Sequence, residues 1–93
     1  MAHKWSDDDE RVALYLYRFP DDADPLLSID DVGEKLGMGP ASLKMRIRNF
    51  LWVDTGYEGL RNRAKRTRRV YAEHIGTPQT ELRAIVLQFL SRR

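Results

Sequence analysis

Cysteine is missing from this sequence altogether, and with it go disulfides, thiolate nucleophiles and the usual structural zinc sites. Stability therefore rests on packing. Histidine is scarce as well: His3 and His74 stand far apart, and Glu73-His74, near a helix end, reads as a surface pair rather than part of a three-ligand site. The run Asp7-Asp8-Asp9 does not change this, because consecutive helical carboxylates point in different directions and do not converge on a cation. Gly37-Met38-Gly39 lacks the flanking strand and the lysine of a nucleotide-binding loop. The expectation is a protein with no catalytic residue, no metal and no cofactor. Long apolar runs are missing too. Nothing approaches the roughly 18 residues of a membrane span, and Met1-Ala2-His3-Lys4-Trp5 has no signal-peptide apolar region. A cytoplasmic protein with no membrane partner follows as an expectation.

What the sequence does contain is ordinary globular material: 93 residues, 42% hydrophobic in short patterned groups and 32% charged. That length accommodates one core, so residues 1–93 are expected to form a single domain. The net charge of +2 averages two opposite halves, since residues 1–39 carry 4 basic and 10 acidic side chains (−6) and residues 40–93 carry 12 basic and 4 acidic ones (+8). Clustered Lys and Arg suit a polyanion, with the acidic half facing away from it.

The patterning is helical throughout and predicts an all-α fold of about five helices with a trihelical helix-turn-helix core. Ser6 is an N-cap, followed by acids that suit the positive end of a helix dipole. Val12, Tyr15, Leu16 and Phe19 then line one face of a helix over about 7–19, with Trp5 placed to staple against it. Prolines 20 and 25 bound an acidic loop. Ser28 opens a second helix, 28–37, with Ile29, Val32 and Leu36 as its stripe. Gly37 supplies a left-handed cap, Gly39 a bend and Pro40 the start of a third helix over 40–51. Leu43, Ile47, Phe50 and Leu51 are its expected core side. Trp52 to Gly59 reads as a loop or a short hairpin wing whose Trp52, Val53 and Tyr57 pack back. A fourth helix, 60–75, has Leu60, Ala64, Thr67 and Tyr71 as a poor apolar side. A fifth, 78–91, carries Leu82, Ile85, Val86, Phe89 and Leu90, either as core or as the seam of a homodimer.

Two features point to a partner. The helix, glycine turn and helix from Ser28 to Leu51 match the geometry that lays a second helix in the major groove of double-stranded DNA. Its polar face offers Ser42, Lys44, Arg48 and Asn49 to base edges and phosphates. Met45 on that face is open between a core filler, a partner contact and a contact to a thymine methyl. Arg61, Arg63, Lys65, Arg66, Arg68 and Arg69 then place six positive charges in nine residues, a phosphate-binding run. They do not all face one way on a helix, so some are expected to meet the acidic first half or solvent. An adaptor that sets the basic helix against an acidic protein is the alternative.

The segments Trp5-Ser6-Asp7-Asp8-Asp9-Glu10, Ala13-Leu14-Tyr15-Leu16-Tyr17 and Leu36 through Phe50, with Val53-Asp54 and Gly59-Leu60, carry a resemblance over roughly residues 5–60. They resemble a helical module that precedes the nuclease part of some HNH-type, restriction-like endonucleases. The N-terminal tryptophan and acids are also similar to Myb-like helical domains. The resemblance implies an accessory DNA-contacting domain with Ser42, Lys44 and Asn49 in its reading helix. The nuclease's own His-Asn-His residues and zinc-holding cysteines have no counterpart here, so binding carries over and cleavage does not. What the resemblance implies is either a fragment of a larger enzyme or a free-standing transcription regulator of a phage or mobile element, associated with the nucleoid when bound to DNA.

Overall fold

Ser6 starts the first helix with a complete capping box. The Asp9 amide donates to Ser6 Oγ (3.1 Å) while the Ser6 amide donates to Asp9 Oδ2 (3.0 Å). The computed structural model describes residues 3–56 and 64–93, and among these it contains five α-helices. They are α1 (Asp7–Arg18), α2 (Ile29–Leu36), α3 (Pro40–Thr55), α4 (Lys65–His74) and α5 (Gln79–Ser91), with one 3-10 turn at Pro25–Leu27 before α2. The all-helical expectation holds, and no helix of the described residues is long and apolar enough to cross a membrane.

The five helices share one core with α1 at its centre, packed against α3, α4 and α5, while α2 packs against α3 and α5. A one-sided stripe on α1 was expected. Instead Val12, Ala13, Leu14, Tyr15 and Leu16 are all buried, and five consecutive residues at about 100° each sweep the whole circumference. The apolar side of α5 is spent in the same core: Leu82, Val86, Phe89 and Leu90 are buried and Ile85 is half-buried. Those residues serve the monomer and do not present an open seam.

Two expectations about α3 are corrected. Trp52-Val53-Asp54-Thr55 continues the helix instead of forming a loop or wing, because Gly56 is its left-handed cap (φ 78°) and donates to the carbonyls of Trp52 and Val53. Leu51 does not join the core and is 45% exposed. The inward stripe runs Leu43, Ile47, Phe50 and on to Asp54, so Leu51 lies about 100° round the helix from Phe50. In α4 the described helix begins at Lys65, with Ala64, Thr67 and Val70 buried and Tyr71 half-buried. The expected roles of Tyr57 and Leu60, and the start of α4 at residue 60, fall on 57–63, outside the described residues.

The acidic half does not stand apart from the basic half. Folding brings the two together, and Coulomb attraction pairs Asp7 with Arg66 and Arg69, Glu10 with Arg46, and Asp22 and Asp24 with Arg83. The last pairing ties the loop before α2 to α5. Arg83, then the Tyr15 hydroxyl and the Asp24 amide, hold the Asp22 carboxyl at about 2, down from the ordinary 3.8. A depressed carboxyl stabilises the fold above the ordinary range and loses that contribution as pH falls toward the folded value. Asp22→Asn is therefore expected to flatten the fall in stability between about pH 4 and pH 2. Circular dichroism unfolding curves across that window check it, and an unchanged acid limb would discount the tie.

Candidate nucleic-acid interface

The geometry of the helix-turn-helix is set by close approach at Gly33. A Cβ there would lie 2.6 Å from Pro40 N, 2.7 Å from Gly39 C and 2.9 Å from Gly39 O. With only a hydrogen in the way, the α2 backbone rests on the backbone that opens α3. The Gly33 carbonyl accepts from the amides of both Gly37 (3.1 Å) and Gly39 (3.0 Å), which fixes the turn. Ser28 Oγ caps α2 by accepting from the Asp31 amide at 3.1 Å, Gly37 ends it in the left-handed region, and Met38 is buried beneath the turn.

The rotation of α3 is set by Arg46, which sequence reasoning missed. Its Nη1 donates to Glu10 Oε1, it lies 3.4 Å from Thr67 Oγ1, and its guanidinium stacks 4.0 Å from the centre of the Trp5 ring. Glu10 is fully buried, and the Thr67 hydroxyl reaches both its oxygens, at 3.0 and 2.9 Å. One side chain of α3 thus meets α1, α4 and the segment preceding α1. Burial pulls the Arg46 guanidinium below its usual value, aided by the nearby Arg66, yet arginine stays charged in proteins. The signal was present in the sequence as an arginine between the inward positions Leu43 and Phe50, and a glutamate two residues before the apolar run of α1.

With Arg46 held inward, Ala41, Met45 and Arg48 form the outward stripe of α3. Ala41, Ser42, Lys44, Met45 and Arg48 are exposed and Asn49 is half-buried. The candidate residues on α3 are thus brought to one accessible face. Met45 is not a core filler, being 54% exposed. The basic run is divided. Arg61 and Arg63 lie outside the described residues, while Lys65, Arg66, Arg68 and Arg69 are exposed on α4. Arg66 lies 3.2 Å from Asp7 and also donates to the Trp5 carbonyl; Arg69 bridges Asp7 (2.7 Å) and Glu73 (3.2 Å). The hydrogen bond from Arg69 draws the Asp7 carboxyl below its ordinary value.

Comparison with family models, with curated proteins and with solved structures finds no match.

The histidines have other work than a surface pair. His74 is half-buried, its Nε2 accepts from Arg11 Nε (3.3 Å) and its Nδ1 lies 3.0 Å from Thr77 Oγ1, while Glu73 turns to Arg69 instead. That arrangement requires a neutral ring with the proton on Nδ1, and burial, then Arg11, pushes its pKa down. His3 lies 2.9 Å from Asp9 Oδ2 and edge-on to Trp5, beside the Arg46 network. His74 thus links α4 to α1, and His3 is taken up beside the start of α1.

Proposed function

We propose that this chain is a non-catalytic double-stranded DNA-binding module, serving as a regulator or as an accessory domain. In this reading α3 enters the major groove and the basic run on α4 lies along flanking phosphates. The observation that carries it is the outward stripe of α3: an exposed face with Ser42, Lys44 and Arg48 among its donors, on a helix whose register is fixed by the turn at Gly33 and by Arg46. An α-helix fits the major groove, and those side chains suit base edges and phosphate oxygens. The pairing of Arg66 and Arg69 with Asp7 does not remove them from play. Exposed ion pairs are weak and screened by salt, and a phosphate competes for the same guanidinium groups. The resemblance over residues 5–60 points the same way.

Fluorescence anisotropy with a mixed-sequence duplex at two salt concentrations tests the reading, and the expected result is a binding curve that weakens steeply with salt. Two substitutions separate the roles. Arg48→Ala is expected to relax preference at one base position, at a cost of about 1–3 kcal/mol for the preferred site only. Arg66→Ala is expected to weaken all duplexes alike and to reduce the salt slope by about 1. Absence of binding at low salt would reject the reading and turn attention to an acidic protein partner for α4.

A further inference from the structure

Resting on the DNA-binding reading, we infer that Met45 makes the site selective for a C5-methyl pyrimidine, thymine in ordinary DNA, beside the base pair that Arg48 reads. Met45 sits mid-stripe on the outward face of α3, 54% exposed. Ala41 precedes it by one turn and Arg48 follows it by nearly one turn. Ser42 and Asn49 flank it on one side and Lys44 on the other. An unbranched thioether among the polar side chains of this face has only a weak sulfur acceptor to offer and is best matched by an apolar counterpart. The major groove presents one such group, the C5-methyl of thymine; cytosine shows a plain C–H at that place. The small Ala41 lets the helix approach at the turn before Met45. Spacing assigns the neighbouring pair: Met45 and Arg48 are about 4.5 Å apart along the helix axis, close to the 3.4 Å step between bases. Charge complementarity commits the face to this occupant over an apolar protein surface, since Lys44 and Arg48 bracket Met45 with positive charge.

The test replaces thymine by deoxyuridine, which removes the methyl and nothing else. In a site selected from random duplexes, each thymine is replaced in turn and binding is measured by anisotropy for the wild type and for Met45→Ala. That substitution lies on the surface and leaves the core intact, as circular dichroism will verify. The expected result is one position near the Arg48 contact where loss of the methyl weakens wild-type binding about four-fold, the effect of one buried methyl-sized group, with no such loss in Met45→Ala. Salt-sensitive binding with no methyl-dependent position, or with a methyl effect that persists in Met45→Ala, overturns the inference and leaves the DNA reading in place. No salt-sensitive binding at all overturns both.

Discussion

Arg46→Ala is expected to lower unfolding free energy by about 3–5 kcal/mol, the usual cost of removing one partner from a buried ion pair. The cause is Glu10. It is fully buried, and without the guanidinium its charge would keep only the Thr67 hydroxyl among the described residues. A shallower loss follows if water enters the space vacated beside Trp5, since a quarter of the Arg46 side chain is exposed (24%). Urea unfolding of Arg46→Ala, and of Arg46→Met, Glu10→Leu and their double variant Glu10→Leu/Arg46→Met as a closed cycle, separates the pair from its parts. The double variant is expected to recover much of the loss, because apolar residues of similar volume remove the buried charge as well as its partner. A cost below about 1 kcal/mol for Arg46→Ala, the range of an exposed pair, would show that α3 is held by its apolar contacts alone. Recovered stability is not recovered orientation of α3: with Met at 46 the link to α1 and α4 is gone, and on the proposed DNA-binding reading affinity is expected to stay below wild type.

Gly33→Ala sets two effects of opposite sign against each other. Alanine inside a helix gains about 1 kcal/mol over glycine, but here its Cβ would fall inside 3 Å of three backbone atoms at the start of α3. Backbone has no alternative rotamer. The turn must open, and overpacking of this kind costs about 1–3 kcal/mol or more. The expected outcome is a net loss of stability and, on the proposed DNA-binding reading, a loss of affinity larger than that of any single surface contact, because the angle between α2 and α3 changes. Gly76→Ala is the control: nothing among the described residues lies within 4 Å of a Cβ at that position, and the substitution is expected to be close to neutral. If Gly33→Ala stabilised the protein while leaving binding unchanged, close approach would not be what orients α3.

Local features were legible in the sequence because they are written in neighbouring residues. The Ser6 cap, the Ser28 cap, the left-handed Gly37 and the start of α3 at Pro40 each depend on positions within four residues of one another. The stop of α3 failed for an instructive reason: Gly56 looks the same whether it breaks a helix or caps one, and only the hydrogen bonds to Trp52 and Val53 decide. The site's exposed residues were legible from periodicity. Its supports were not, since Glu10 meets Arg46 across 36 positions and Thr67 across 57. Met45 illustrates the same limit from the other side. An isolated methionine on a helix is ambiguous by chemistry, and only the packing of its neighbours shows that it faces out.

The central position of α1 has a kinetic consequence. Several of its polar partners lie far along the chain, with Thr67 reaching Glu10 over 57 residues and Gln79 reaching Tyr15 over 64, so the helix formed first is the last to be enclosed. During synthesis its apolar circumference stays wet until the residues around Leu82 to Leu90 have emerged. Closing those loops before the contacts reward them makes folding slower than in bundles whose helices pack only on their neighbours in sequence. A chain halted before α5 would display a girdle of aliphatic and tyrosine side chains with nowhere to go, and aggregation, not partial function, is its expected fate.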